Sequence, residues 1–186
     1  MKREEHALVL DFLPYGRSTA AQGEPIAQVV GDAYFTLLEL VLKRDAKVAA
    51  GEKLYIGPGE REKIDHIAGR ISYNQLTSSA QKELEHAVRV IVKAREADFV
   101  NFFNRAGPIS IRAHTLELLP SIGKKHLKAI LDERQKKPFT SFQDIRERLS
   151  TLGNVEDIFV NRILEEVRGD SKYYFFVKPM RSAEER

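Results

Sequence analysis

The stretch "LPSIGKK", residues 119–125, puts a glycine and two lysines where a helix is predicted to begin. The first turn of a helix carries main-chain N–H groups with no intrahelical acceptor, together with the positive end of the peptide dipoles. Acids are favoured there and lysines disfavoured, each by a few tenths to about 1 kcal/mol. Lys124 and Lys125 invert that preference, and Lys128 adds a third ammonium one turn on. A phosphate from outside, seated on the amides of Ser121, Ile122 and Gly123 and of the turn that follows, gives the inversion a reason. The plainer reading of the same residues is a packing turn with solvated lysines.

Thirty positions later "LSTLGNV", residues 149–155, repeats the turn with ordinary charges. Asn154 can cap the helix, and Glu156 and Asp157 sit in its first turn. The first copy is therefore expected to hold phosphate and the second to be mainly structural. Helix, "LPSIGKK", helix is similar to the helix-hairpin-helix motif, whose pattern is hydrophobic, small, glycine, hydrophobic, glycine. That resemblance implies phosphate-backbone contacts from hairpin amides and, as the one cofactor, a monovalent cation on the hairpin carbonyls. Such contacts carry no base identity directly. Ser121 stands where the motif has its first glycine. With its second copy, the region resembles the tandem hairpins of recombination and repair proteins.

The elements that would position these turns follow from hydrophobic period. Four short helices are predicted over residues 110–118, 124–135, 141–149 and 155–168, with stripes such as Ile111, Thr115, Leu118 and Leu119 on the first. Gly107 and Pro108 mark a boundary before them. Leu84, Val88, Ile91, Phe99, Phe102 and Phe103 recur near helical spacing, so residues 77–106 read as one connecting helix, begun by a capping box of Ser78 and Gln81. Upstream, "EEHALVLDFL", "PIAQVVGDAYFTLLELVLK", "AGEKLYIGPG" and "KIDHIAGRISY" read as strands, with Gly69 at a bulge. The expected architecture is α+β: a small β-barrel over 1–76, the connecting helix 77–106, a tandem helix-hairpin-helix domain over 110–168, and a terminal strand 172–178 ("KYYFFVK") returning to the barrel to pair its backbone.

Composition narrows the function. The 186 residues contain no cysteine, which removes thiolate catalysis, disulfides and cysteine-ligated zinc. His6, His66, His86, His114 and His126 show no metal-ligand spacing, so no metal is expected. No leader or membrane span is read, and a cytoplasmic location is expected. Net charge is +3, and the excess falls on residues 110–148, with nine Lys/Arg against five Asp/Glu. A basic footprint for an anionic polymer belongs there. A second face is read on the barrel: Lys43, Arg44, Lys53, Tyr55 and Arg70 could track and stack a strand, although Glu39, Asp45, Glu52, Glu60, Glu62 and Asp65 dilute it. An ordinary barrel surface explains the same residues as well.

"EEHALVLDFLPYGR", "GEKLYIGPGEREKIDHI", "LELLPSIGKKHLKAILDERQKKPFTSFQDI" and "YYFFVKP" together look like the archaeal family known as domain of unknown function 655, over nearly the whole chain. The resemblance implies an oligonucleotide-binding-like barrel, a helix-hairpin-helix region and nucleic-acid binding. RNA is favoured over DNA, because the family's genes lie near those for translation and ribosomal RNA methylation.

Two other functions compete. A protein-interaction module would dock a ribosomal or polymerase subunit through Lys124, Lys125, Lys136 and Lys137. A base-excision lyase would use Lys125, two residues past the last hairpin glycine, with Asp144 as its acid. Asp144 lacks the surrounding residues of those enzymes and reads better as a first-turn acid on a helix capped by Ser141. No small-molecule substrate is evident, and a non-enzymatic role is expected.

Overall fold

β-Branched and aliphatic residues build five strands in the first 70 residues: β1 (His6–Leu13), β2 (Ile26–Gly31), β3 (Leu37–Leu42), β4 (Lys53–Tyr55) and β5 (Ile64–Arg70). The computed structural model of the protein describes residues 3–17 and 23–179. The strands form one antiparallel sheet in the order β4-β1-β2-β3-β5. Its register slips by one residue at Leu10, between the pairs Val9 with Val29 and Asp11 with Gln28. It slips again at Ala68, beside Gly69, whose φ of 159° suits glycine. Such bulges sharpen twist and curl a sheet. This one curls into half a barrel around Val9, Ala27, Val29, Leu40 and Leu54. The small barrel expected from the sequence stays open among the described residues: β4 is three residues long and pairs with β1, and β4 and β5 are the two edges.

The helices are α1 (Ser78–Ala94), α2 (Glu96–Arg105), α3 (Lys124–Lys136), α4 (Phe142–Arg148) and α5 (Val155–Arg168). Three expectations are corrected here. The connecting helix over 77–106 breaks at Arg95, whose φ and ψ of −113° and 26° leave the helical region. Its start is capped by Thr77 rather than by Ser78 with Gln81: the Thr77 hydroxyl accepts the Ala80 N–H at 3.0 Å and donates to Asp11 at 2.6 Å. Residues 110–118 are not a helix. They form a ribbon of β6 (Pro108–Ser110) and β7 (Ala113–His114), followed by a 3-10 turn over Thr115–Leu118. Ile111, placed on the helix's apolar stripe by its spacing, is fully exposed at the ribbon's tip.

Residues 172–178 form no ladder among the described residues, against the expected returning strand. The need that motivated the strand, partners for the backbone, is met for three consecutive N–H groups by one side chain. The Glu166 carboxylate accepts the main-chain N–H groups of Phe175, Phe176 and Val177 at 2.9–3.0 Å. Glu166 is 2% exposed and lies on the buried face of α5. Further on, Lys178 donates its N–H to the Tyr34 carbonyl, and the Arg70 guanidinium donates to the carbonyls of Lys178 and Pro179.

The chain divides into two compact units: Met1–Val88 with Ile163–Arg186, and Arg89–Arg162. The second is built on phenylalanines. Phe159 contacts the rings of Phe99, Phe103 and Phe142 at centroid distances of 4.9, 5.6 and 5.9 Å, the separations at which aromatic pairs attract beyond simple burial.

Candidate nucleic-acid interface

The turn before α3 is tight and partly strained. Ile122 is buried and donates its N–H to the Leu119 carbonyl, which fixes the chain's entry. Ser121 has φ of 65°, in the left-handed region, where a residue with a Cβ is disfavoured by about 1 kcal/mol or more. Glycine would take that conformation freely. The His126 ring nitrogen braces the turn on the Ser121 carbonyl at 3.0 Å. A monovalent cation of the kind the motif implies would need the second lone pairs of the Leu119 and Ser121 oxygens.

Gly123 is the N-cap of α3, extended at φ −94°, and no side chain caps the helix. No acid lies in the first turn. Lys124, Lys125 and Lys128 are exposed, and none is in an ion pair among the described residues. Gly123 does not need to be glycine for the protein's own sake. Its φ is open to any residue, and a Cβ built on it meets nothing within 4 Å.

The second copy of the turn is closed from within. Gly153, at φ 80°, makes the bend, and the Asn154 carboxamide oxygen accepts the Glu156 N–H at 3.1 Å. Glu156 and Asp157 at the positive end of α5 are both held by Arg89, at 2.9 and 2.5 Å. One helix start is thus capped by Asn154 and carries two acids in its first turn, while the other presents two lysines and no acid.

Asp144 is used structurally. Ser141 caps α4 by accepting the Asp144 N–H at 3.0 Å, and the Asp144 carboxylate accepts the Thr140 N–H at 3.0 Å. That backbone bond, with Arg148 at 3.3 Å, holds its carboxyl below the usual carboxylate range. Ser141→Ala is expected to cost about 1 kcal/mol, read as a lower midpoint in urea unfolding.

The five residues of the second face are distributed as follows. Lys43 donates to the Arg61 carbonyl at 2.7 Å, and Arg44 is exposed beyond the end of β3. Lys53 pairs with Asp32 at 2.9 Å. Tyr55, 41% exposed, donates its hydroxyl to the Pro58 carbonyl and meets the His6 ring edge-on. Lys53 and Tyr55 lie on β4, whereas Arg70 ends β5 at the opposite edge of the sheet. Arg70 also lines a cleft with Arg3, Arg61, Tyr34 and Lys178. Sequence reasoning missed that grouping, because its members come from segments with no common spacing. Among the described residues no group of three His, Asp or Glu is placed to hold a metal, and no helix is long and apolar enough to cross a membrane.

A curled five-stranded antiparallel sheet and five helices define a mixed α+β protein, and the starts of α3 and α5 are satisfied in different ways. The chain belongs to the family of proteins of unknown function DUF655, whose model matches residues 3–178. It is 46% identical over 179 residues to the uncharacterised protein MJ0038 of Methanocaldococcus jannaschii, covering 95% of this chain and 81% of that one. Its fold is similar to the crystal structure of Af1531 from Archaeoglobus fulgidus, a protein of the same family, with a TM-score of 0.87 at 40% identity over 94% of this chain and all of that one.

Proposed function

We propose that the protein is a non-enzymatic nucleic-acid-binding protein that grips the phosphate backbone at the first of two tandem helix-hairpin-helix turns. Ser121, Ile122 and Gly123 shape the site, the first-turn amides of α3 receive the phosphate, and Lys124, Lys125 and Lys128 neutralise it. The observation that carries this reading is Gly123: neither its backbone angle nor its surroundings call for glycine, while close approach by an outside group does. RNA is the preferred partner because of the genomic company the family keeps, with a role near translation or ribosomal RNA in the cytoplasm.

Labelled RNA and DNA oligonucleotides titrated across a salt series test the reading. Binding should fall linearly on logarithmic axes, with a slope set by the phosphates engaged. Gly123→Ala should keep the fold within about 1 kcal/mol, the usual cost of alanine at an N-cap, yet weaken binding roughly tenfold. Salt-independent affinity, or full affinity in the alanine variant, would refute it.

A second reading has its own observation. Ile111, fully exposed, and Ile109, 37% exposed, place two aliphatic side chains on the β6–β7 ribbon. Neighbouring exposed aliphatic side chains of this kind offer a partner protein an apolar contact. Docking to a ribosomal or polymerase subunit through this ribbon would be weakly salt-dependent and lost in Ile111→Asp.

A further inference from the structure

Residues from both edges of the curled sheet line a cleft of about 640 Å³, within the roughly 300–1,000 Å³ common for small-ligand sites. Its floor is apolar: Leu38 from β3, Ile67 from β5 and Ile56 just beyond β4. Around the floor stand Arg3, Arg61, Arg70 and Lys178, against Glu4 and Glu5. Glu4 does little to cancel the cations, because its two oxygens already accept the main-chain N–H groups of Ala33, Tyr34 and Thr36 at 2.9–3.2 Å.

Arg61 and Arg70 are positioned by main chain rather than by acids. Arg61 donates Nε to the Gly57 carbonyl at 3.0 Å, and Arg70 donates to the carbonyls of Lys178 and Pro179. Neither is in an ion pair among the described residues. Arg70 is exposed as a residue, yet its guanidinium is partly desolvated, and this lowers its pKa against the opposing field of Glu4. A desolvated guanidinium without a carboxylate partner favours an incoming anion, and the planar fork of arginine matches phosphate in particular.

We propose that this cleft binds a small organic phosphate carrying a ring, the chemistry of a nucleoside 5′-monophosphate. The phosphate is held by Arg61 and Arg70, and the ring lies over Leu38, Ile56 and Ile67. Inorganic phosphate would leave the apolar floor wet, and a purely apolar ligand would bury the guanidinium groups without an anion. Tyr34, also on the lining, supplies a flat surface of the kind on which bases stack. Two sources share this chemistry: a free nucleotide, and the phosphorylated 5′ end of a strand. The site belongs to the first unit and does not depend on the hairpin reading, whose residues belong to the second.

Calorimetry and amide chemical shifts on the full chain test it, with the four ribonucleoside 5′-monophosphates, their nucleosides and inorganic phosphate as probes. At least one monophosphate should bind roughly tenfold or more tighter than its nucleoside and than inorganic phosphate, shifting the amides of Ile56, Gly57 and Ile67. Arg61→Ala should weaken it about tenfold and Arg61→Glu should abolish it, with unfolding midpoints close to wild type. Changing Lys124 and Lys125 to Glu should leave this binding intact, which separates it from polynucleotide binding at the hairpin. A short 5′-phosphorylated oligoribonucleotide that outcompetes its 5′-hydroxyl twin assigns the strand end, and equal binding of the twins assigns the free nucleotide. No saturation by about 10 mM, or affinity unmoved by both Arg61 variants, overturns the proposal.

Discussion

Changing Lys124 and Lys125 together to glutamate is expected to cut polynucleotide affinity by roughly tenfold or more and to flatten its salt dependence by about two units of slope. Both residues are exposed in the first turn of α3, beside an N-cap without a side-chain partner. Each reversal removes a cation that would displace a counterion and adds a charge that repels phosphate. Stability should move the other way. Glutamates complement the positive end of a helix, by about 0.3–1 kcal/mol each at an exposed site. A variant that unfolds at higher urea yet binds nucleic acid weakly cannot owe its defect to misfolding. Unchanged affinity would move the contact to the sheet or to a protein partner. A parallel fall in stability and binding would mean that the two lysines pack rather than bind.

The asymmetry behind that prediction was legible in the amino-acid order, because capping preferences and dipole complementarity act within a few residues. Asn154, Glu156 and Asp157 follow the rule, Lys124 and Lys125 break it, and the fold adds Arg89 as the partner that completes the second turn. The strands were legible for the same local reason, short runs of aliphatic and β-branched residues such as Ile26–Gly31 and Leu37–Leu42 between turn residues. The segment 110–118 was not. Ile111, Thr115 and Leu118 fit a helical stripe by number, but the ribbon is set by contacts at its ends, where Thr115 bonds through both N–H and hydroxyl to the Gly107 carbonyl. The cleft was illegible because its lining is brought together only by curling of the sheet. Closure of the barrel was over-read: four or five strands suggest a barrel, but whether its edges meet depends on strand lengths and bulges, which sequence marks poorly.

The buried acid of α5 shows where a sequence signal existed without its meaning. Val155, Ile158, Phe159, Ile163 and Val167 mark the apolar stripe, and Glu166, eleven residues from Val155, falls on that same face. A carboxylate there needs partners, yet main-chain amides have no residue signature, so the strap at 175–177 could not be foreseen as the answer. Glu166→Ala is expected to destabilise the first unit by about 2–4 kcal/mol, since it removes three charge-assisted hydrogen bonds and leaves a small void on the buried face of α5. The strap can re-solvate its own amides by detaching, and this limits the loss. Hydrogen exchange should therefore speed up most at Phe175, Phe176 and Val177, with β1 and β2 less affected. Glu166→Gln should fall between. One Glu166 oxygen serves Phe176 and Val177 and the other Phe175, so a carboxamide can keep the first pair of bonds but must set its own N–H₂ against the third N–H. Equal protection of the strap in wild type, glutamine and alanine variants would show that the tyrosines and phenylalanines of residues 173–176 hold it by packing alone.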